Sequence, residues 1–397
     1  MNTETICVFC KGTKKLCGAN FCPKLKKLYY ETDLTKNIKE SVFGPSPPNM
    51  FVGSYGWPQV NWGPMVALET IDDNPSQWYG KSYYEIIKQR SLLITGRKKA
   101  HIKERNDKNL KEAQDAIMSI KTLDMEINFK RKPSFNLNFS SITQPMGGYA
   151  PLKDFKVVDN PKIPKKVDSI VEEKKMLAQD AIFELNEYGL DEYYLTKLFS
   201  GGLLGHQERK KLVPLRWSIT AMDDMLAKQK IEKIKYFDSI SNYYVCSSEY
   251  LDNHYEVLLM PGSWEFENFE SWAPGTLWSE GASNVFITEE YEPYTGRKKY
   301  ADKQVGGYYA SRYGVCESLN EIRKQARVLA IREIYEGYQI PVGVWQVREG
   351  VKHAIKNRKK FSTLQEALDD MNSRLRVSIK KYEAQSKILK QKRLFDF

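Results

Sequence analysis

The sequence predicts an α+β protein, with a mixed β-sheet core, packed helices, a small cysteine-rich N-terminal module and a basic C-terminal helix. Three observations predict this class. The 397 residues are 41% hydrophobic and 12% aromatic, which is enough to build sizeable cores. Helix-like and strand-like patterns alternate through the second half of the chain. Four of the six cysteines lie within the first 22 residues.

Residues 1–28 form the predicted cysteine module. The spacing C-x2-C-x6-C-x4-C lets Cys7 and Cys10 form one chelating pair, and Cys17 with Cys22 close a tetrahedral site. Four thiolates suit Zn²⁺, and so short a segment has too little apolar surface to fold by burial alone. We therefore expect a structural zinc knuckle, with iron–sulfur ligation or free thiols as the alternatives.

Residues 29–166 are predicted to form an N-terminal α+β region. It begins with a Gly/Pro-rich aromatic loop at 44–64, where the prolines exclude regular helix. Helical periodicity follows at 78–119 and includes a basic run. The run contains Arg97, Lys98, Lys99, Lys103 and Arg105. It is a candidate surface for phosphates, and the alternative is an ordinary solvated helix face.

Residues 167–361 are predicted to form a C-terminal α+β core. Helical spacing is seen at 167–199 and 319–334, and a capping box between Thr220 and Asp223 predicts a further helix. Strands are predicted where β-branched or aromatic runs have Pro or Gly boundaries. These runs are residues 243–247, 256–260, 285–288 and 342–347.

Residues 362–397 are predicted to form a basic helix that ends in the peptide QKRLFDF. Gln391, Leu394 and Phe397 are three residues apart, so one 3₁₀ turn places them on a single face. This face resembles the peptide by which repair and replication proteins dock onto the sliding clamp, PCNA, with Phe395 as an additional apolar contact. The alternative is that these residues pack into the protein's own core.

Charge and hydropathy favour one class of partner and exclude another. Lysine and arginine outnumber aspartate and glutamate by 61 to 50, giving a net charge of +11 that favours a polyanion such as DNA. The alternative is a basic protein without such a partner. No apolar stretch approaches the roughly 18 residues of a membrane helix, and no signal peptide is evident. We therefore expect a cytoplasmic protein with no membrane contact.

Nucleic-acid or nucleotide contacts are expected from cations and exposed aromatic rings. The candidates are Arg97, Lys98, Lys99, Arg216 and Trp217. Cations hold phosphates, and rings such as Trp57 or Trp62 can stack on exposed bases. A Trp beside an Arg is also compatible with an anchored core aromatic and a surface ion pair.

No catalytic residue is assigned, and catalysis is kept as the alternative function. Gly80, Lys81 and Ser82 end like a phosphate-binding loop, but Pro75 replaces its first glycine. An Mg²⁺-dependent nuclease would use acidic side chains, namely Asp223, Asp224, Glu265 and Glu267, with Arg332 or Glu333 nearby. A nucleotide-using transferase would use Arg216 and Trp217, with residues 306–309 framing the pocket.

Taken together, these segments resemble the archaeal Nre DNA-repair family. The resemblance is carried by the cysteine knuckle, SPPNMFVGSYGWPQVNWGP at 46–64, LVPLRWSITAMDD at 212–224 and the clamp-type tail. It implies a role in DNA-damage repair in partnership with the sliding clamp. It also implies metal ligation by the four N-terminal cysteines and clamp docking by residues 391–397, but no established reaction.

Overall fold

The computed structural model describes residues 3–19, 22–27, 38–134 and 139–390. It divides into two compact units, and each contains one six-stranded sheet. The C-terminal unit consists of Met1–Lys27, Ser140–Ile142 and Leu226–Phe397, and the middle unit of Leu28–Phe139 and Thr143–Met225. The cysteine module therefore belongs to the same unit as the C-terminal part of the chain.

Twelve strands and thirteen α-helices are found in the described residues. The strands are β1 (Ser41–Ser46), β2 (Met50–Val52), β3 (Gln59–Ala67), β4 (Leu93–His101), β5 (Leu123–Phe129), β6 (Gly148–Val157), β7 (Tyr243–Tyr250), β8 (Asn253–Met260), β9 (Glu265–Trp272), β10 (Phe286–Glu292), β11 (Arg327–Ile334) and β12 (Arg358–Phe361). The helices are α1 (Thr3–Cys10), α2 (Pro23–Lys27), α3 (Tyr83–Ser91), α4 (Lys108–Ile117), α5 (Lys165–Glu172), α6 (Ala178–Glu187), α7 (Glu192–Ser200), α8 (Leu215–Ile234), α9 (Gly306–Glu321), α10 (Trp345–Lys356), α11 (Leu364–Asn372), α12 (Ile379–Glu383) and α13 (Lys387–Lys390).

The sheet of the middle unit has the order β1-β5-β6-β4-β3-β2. Adjacent strands in this sheet run antiparallel, except for β4 and β6, which run parallel. Buried and exposed residues alternate along β5, as expected for a strand with one face on a core. Helix α4 packs against β3 and β6. Its buried Leu110, Ala113 and Ile117 recur at helical spacing, which gives the helix one apolar side.

The sheet of the C-terminal unit has the order β10-β9-β11-β8-β7-β12, with β9 and β11 parallel. Every residue of β8 and β9 is buried, because helices cover both faces of the sheet. On one face, Tyr255 donates a hydrogen bond to the side chain of Gln346 in α10, at 2.6 Å. On the other, Leu258 joins a core cluster with Leu368 and Met371 of α11.

The α+β class is confirmed, and so are several elements. The helical segment at 167–199 is present as α5, α6 and α7, and β7, β8 and β10 lie where strands were predicted. Helix α11 begins at the N-cap expected at Ser362 or Thr363, with a capping box between Thr363 and Glu366. None of the helices among the described residues has the length and apolarity needed to span a membrane.

Three predicted elements were assigned to the wrong type. The cations Arg97, Lys98 and Lys99 lie on strand β4 and not on a helix. Residues 327–334 form β11, and residues 345–347 begin α10. Strand β11 is buried along seven of its eight residues, so it lacks the alternation that reveals a strand. A short apolar run of this kind has no periodicity that separates helix from strand.

Two predicted helices had the wrong extent. The basic C-terminal helix is broken into α11, α12 and α13, and their buried residues pack into the core cluster. Helix α8 begins at Leu215, so Thr220 lies inside it, where its hydroxyl donates to the carbonyl of Arg216 at 3.5 Å. A threonine can make this bond within a helix, so the capping-box spacing was coincidental there.

Candidate nucleic-acid interface

Two tryptophans form an exposed aromatic pair on the middle unit. Trp57 lies in the loop before β3, and Trp217 lies in the first turn of α8. Their ring centroids are 5.0 Å apart with an interplanar angle of 58°. Trp57 is 38% exposed and Trp217 is 43% exposed. We call these residues the tryptophan pair, and each ring presents apolar surface to solvent.

A shared backbone anchor holds the tryptophan pair in place. The N–H of Ile102, just after β4, donates to the carbonyl of Pro58 at 3.0 Å. The carbonyl of Ile102 accepts from the N–H of Leu212 at 2.8 Å. The loop that carries Trp57 and the segment that leads to Trp217 are therefore both fixed to the end of β4.

The loop before β3 is tight because of one glycine. Gly56 has a φ of +85°, and the N–H of Gln59 donates to its carbonyl at 2.9 Å. A Cβ on Gly56 would lie 2.7 Å from the carbonyl oxygen of Gln59. Both the conformation and the space therefore favour glycine, and the turn positions Trp57 without strain.

Exposed cations lie beside the tryptophan pair or follow its backbone anchor in sequence. The ammonium of Lys211 lies 5.9 Å from the centre of the Trp57 ring. Lys103 and Arg105 are exposed and directly follow the anchor at Ile102. Burial and, to a smaller extent, the charge of Arg105 lower the pKa of Lys210, so these two cations lie within electrostatic range of each other. Such a concentration of positive charge attracts phosphates.

A second group of cations and aromatic rings lies on one face of the sheet of the middle unit. The Arg97 guanidinium lies 3.6 Å from the centre of the Tyr149 ring and 5.0 Å from that of Phe51. Its Nε is buried and has no hydrogen-bond partner among the described residues. Lys99 is two residues along β4, so it points to the same face and is exposed. The face combines aromatic rings with positive charge.

The other predicted contact residues are placed differently. Lys98 points to the opposite side of β4 and pairs with Asp107 at 2.6 Å. Trp62 is 0% exposed, so the expectation that it could stack on a base was wrong. Arg216 is partly buried beside Trp217 in the first turn of α8. The sequence did not single out Lys211 or Tyr149, whose places depend on distant segments.

The acidic residues proposed for a nuclease are divided between the two units. Asp223 and Asp224 belong to the middle unit, whereas Glu265, Glu267, Arg332 and Glu333 belong to the C-terminal unit. Glu267 accepts hydrogen bonds from the N–H groups of Lys387 at 2.7 Å and Ile388 at 3.3 Å. Within the described residues, no group of three or more His, Cys, Asp or Glu could hold a metal ion.

The carboxylate of Glu333 likewise accepts hydrogen bonds from residues of its own unit. It accepts from the N–H of Val377 at 3.0 Å and from the hydroxyl of Tyr382 at 2.8 Å. Arg332 donates to Glu270 at 3.0 Å. These groups anchor α12, α13 and the segments beside them to the sheet, which is a structural use of their charge.

The four N-terminal cysteines lie near one another at different depths. Cys10 is buried, Cys7 and Cys22 are partly buried, and Cys17 is exposed. Burial raises the pKa of Cys7, the charge of Lys24 opposes this, and the other three thiols raise it further. Cys7 is thus within electrostatic range of all three. Four thiolates are chemically suited to Zn²⁺, but as placed among the described residues these cysteines do not form a group of three or more that could hold the ion. The zinc knuckle therefore stays a prediction from the sequence.

Three lysines attach the cysteine module to the rest of its unit. Lys11 forms a buried ion pair with Glu270. Lys14 lies 3.8 Å from Asp302, and Lys24 lies 3.2 Å from Glu280. The ring of Phe9 also packs edge-on against Phe286, with centroids 5.1 Å apart. The positive charge of these lysines therefore serves largely to dock the module on its unit.

The predicted clamp-binding residues lie outside the described part of the chain. Gln391, Leu394, Phe395 and Phe397 follow directly after α13, whose Ile388 is buried in the core cluster. Clamp docking by this peptide therefore stays a prediction from the sequence.

Comparison with known proteins gives matches over almost the whole chain. The family model described as Archaeal Nre, N-terminal, matches residues 16–279, and that described as Archaeal Nre, C-terminal, matches residues 292–397. A DNA repair protein NreA of Archaeoglobus fulgidus is 36% identical over 375 residues, covering 93% of each chain. The DNA repair protein NreB of the same organism is 33% identical over 400 residues, covering 98% of this chain and 99% of its own.

A third similar protein comes from a different archaeon. The DNA repair protein NreA of Haloferax volcanii is 32% identical over 374 residues, covering 90% of this chain and 89% of its own. No solved structure matches the chain.

Proposed function

The chain belongs to the archaeal Nre family, and on this premise we propose that it is a cytoplasmic DNA-repair factor that binds DNA and is recruited to the sliding clamp PCNA. The full-length relatives at 32–36% identity are named DNA repair proteins, which supports the repair role. The observation that supports DNA binding most directly is the exposed tryptophan pair with its surrounding cations.

The tryptophan pair is suited to bases that are not paired in a duplex. Stacking of a base on an aromatic side chain contributes about 1–3 kcal/mol and needs an accessible ring face. A base inside a duplex offers no free face, whereas a single-stranded or displaced base does. Lys211, Lys103 and Arg105 would hold the neighbouring phosphates. The proposed ligand is therefore DNA with an unpaired segment, such as a repair intermediate.

Recruitment is proposed to depend on the C-terminal peptide at residues 391–397. Gln391 would supply the amide, Leu394 and Phe397 the two apolar anchors, and Phe395 an additional contact. A short peptide of this kind adds affinity for the clamp without using the DNA-binding surface. Both partners could then be bound at once.

The cysteine module is proposed to hold one structural Zn²⁺ through Cys7, Cys10, Cys17 and Cys22. Four protein ligands leave no open position, so the ion would stabilise the module and take no part in a reaction. The electrostatic coupling of Cys7 to the other three thiols supports this ligand set.

The experiment for DNA binding compares two exposed aromatic residues of the middle unit. Fluorescence anisotropy measures affinity for a single-stranded and a duplex oligonucleotide in the wild type, Trp217→Ala and Tyr188→Ala. Tyr188 is 58% exposed and lies outside the proposed interface, so it is the matched control. We expect Trp217→Ala alone to lose affinity, mainly for the single strand. Equal affinity in all three proteins would refute the interface.

A separate assay tests the enzymatic alternative. The protein is incubated with Mg²⁺ and single-stranded, branched or damaged DNA, with and without a nucleotide cofactor. We expect the DNA to be recovered unchanged. Strand cleavage would favour a nuclease, and cofactor-dependent modification would favour a transferase.

A further inference from the structure

A narrow pocket in the C-terminal unit lies beside the carboxyl ends of the parallel strands β9 and β11. It encloses about 340 Å³ of space, including solvent at its mouth. Its lining includes Lys11, Glu270 and Arg332, which are 5%, 0% and 6% exposed. Charged groups are this deeply buried only when they are paired or bind something.

The pocket brings two basic side chains to a single carboxylate. Arg332 and Glu270 are register partners on β11 and β9, and the Arg332 Nη1 donates to the Glu270 carboxylate at 3.0 Å. Lys11 donates to the other oxygen of the same carboxylate. Burial alone would raise the pKa of Glu270, but Lys11 and Arg332 together hold it below its ordinary value. Burial lowers the pKa of Lys11 in turn, so the geometric finding is that two basic side chains share one buried carboxylate.

Two helices begin at the same pocket. Gly306 and Gly307 of α9 and Gln346 of α10 belong to its lining, and these helices have 16 and 12 residues. The N-cap residues, Val305 and Val344, have no side-chain atom that can accept a hydrogen bond, and neither first turn contains an acidic residue. Each helix N-terminus carries about half a positive charge. Together with the two basic side chains, these N-termini make the pocket favourable to an anion.

A residue that lines the pocket has a buried hydrogen-bond donor without an acceptor. Trp272 lines the pocket and is 2% exposed, and its Nε1–H has no hydrogen-bond partner among the residues that the structure describes. Leaving such a group unsatisfied costs about 1–3 kcal/mol. An acceptor atom from a bound molecule would remove this cost.

We infer that this pocket binds a phosphate dianion, either inorganic phosphate or the terminal phosphate of a monoester. Its oxygens accept hydrogen bonds from the Trp272 Nε1–H, the Lys11 amino group and the backbone N–H groups of Gly306 in α9 and Gln346 in α10. A phosphate monoester carries a charge of about −1.5 to −2 at pH 7, which suits a pocket favourable to an anion. A phosphodiester carries one charge and two substituents, so the narrow pocket disfavours it. The site is separate from the proposed DNA interface, which lies in the middle unit.

The first test uses two tryptophans that share the same property. Trp264 is also fully buried with a partnerless Nε1–H among the described residues, but it does not line the pocket. Calorimetry measures binding of inorganic phosphate and of a nucleoside 5′-monophosphate to Trp272→Phe and Trp264→Phe. We expect about tenfold weaker binding for Trp272→Phe, as for one lost hydrogen bond to a charged group, and no change for Trp264→Phe. Equal affinities for the two variants would overturn the inference.

A second variant tests the contribution of the basic side chain Lys11 and leaves the Trp272 indole unchanged. Lys11→Met is compared with Lys14→Met, which removes an equal charge from the cysteine module at a more exposed position. We expect phosphate binding to weaken at least about tenfold only in Lys11→Met. Circular dichroism confirms that both variants are folded. Unchanged phosphate affinity in a folded Lys11→Met protein would contradict the site.

The source of the phosphate is distinguished with oligonucleotides. A 5′-phosphorylated strand and its 5′-hydroxyl counterpart are compared in a protein carrying Trp57→Ala and Trp217→Ala, which removes the proposed DNA interface. A preference for the phosphorylated strand supports a DNA end as the source, and binding of free phosphate or nucleotide alone supports a small molecule. No binding of any of these ligands by the wild-type protein at millimolar concentration would refute the inference.

Discussion

Trp57 and Trp217 share a single backbone anchor, because Ile102 accepts a hydrogen bond from Leu212 and donates one to Pro58. The two rings contact each other at a centroid distance of 5.0 Å while both stay partly exposed. Residues from two distant segments thus form one aromatic surface. This contact between the rings has a measurable consequence for binding.

If the tryptophan pair acts as one surface, its two rings should not contribute independently. We expect Trp57→Ala and Trp217→Ala each to weaken binding of single-stranded DNA about tenfold, ~1.4 kcal/mol. The double variant should lose less than the sum, with a coupling energy of about 0.5–1.5 kcal/mol. A double-mutant cycle by fluorescence anisotropy measures this. Strict additivity would mean that the rings bind separately.

Salt dependence should separate cations that contact phosphates from those that do not. Lys103 is exposed beside the anchor, whereas Lys98 is paired with Asp107 at 2.6 Å. We expect Lys103→Ala to reduce the slope of log K against log salt by about 0.7 for single strands, the value for one lost phosphate contact. Lys98→Ala removes the same charge and should leave the slope nearly unchanged. Equal slopes in both variants would argue against a contact between Lys103 and a DNA phosphate.

Zinc content should depend on the N-terminal cysteines alone. We expect about one zinc per chain by elemental analysis, falling sharply in Cys17→Ser because a tetrahedral site loses a ligand. Cys246→Ala is the control, since Cys246 is fully buried in β7 and burial raises its pKa to about 12. Native protein without zinc, or equal zinc loss in both variants, would rule out the proposed ligand set.

Clamp binding should depend on the apolar residues of the last seven positions. We expect the Leu394→Ala, Phe397→Ala double variant to bind PCNA at least about tenfold more weakly, because anchor residues dominate such interfaces. Lys392→Ala changes a position between the anchors and should bind nearly as the wild type does. Surface plasmon resonance measures both. Undiminished binding by the double variant would remove the docking proposal.

Lys197 should make the stability of the protein depend on alkaline pH. Its ammonium donates to the carbonyl of Ser119 at 3.1 Å and lies 4.3 Å from the Tyr194 ring centre, and burial lowers its pKa to about 7. Between about pH 7 and 10, the unfolded chain therefore binds more protons than the folded one, so the free energy of unfolding rises with pH. Lys197→Met should flatten this rise in urea titrations at pH 7 and 9. An unchanged pH dependence in the variant would contradict the assignment.

The sequence predicted the parts of the interface but not their assembly. Trp57, Trp217 and the cations of β4 were each recognised as candidates from their type and surroundings. Their contacts depend on pairing between distant segments, and no local pattern records that. Trp62 illustrates the same limit, because its burial follows from the packing of β3 and not from its neighbours in sequence.

Strand β9 shows why part of the C-terminal unit escaped prediction. Its sequence, EFENFESW, contains three glutamates, and glutamate is ordinarily exposed. All three are buried here because their partners come from far along the chain: Lys11 and Arg332 for Glu270, Ser386 for Glu267 and Arg327 for Glu265. Sequence analysis could identify the cysteine module from spacing alone, but not that Lys11 inserts beside this strand.

The insertion of Lys11 also bears on how the protein can be dissected. A shortened version that begins after residue 27 would keep Glu270 in the interior and lose one of its two cations. Breaking a buried ion pair in this way costs about 3–5 kcal/mol, a large share of the stability of a typical domain. The first two dozen residues, which look like a detachable appendage, are therefore expected to be needed for the distant half of the polypeptide to fold.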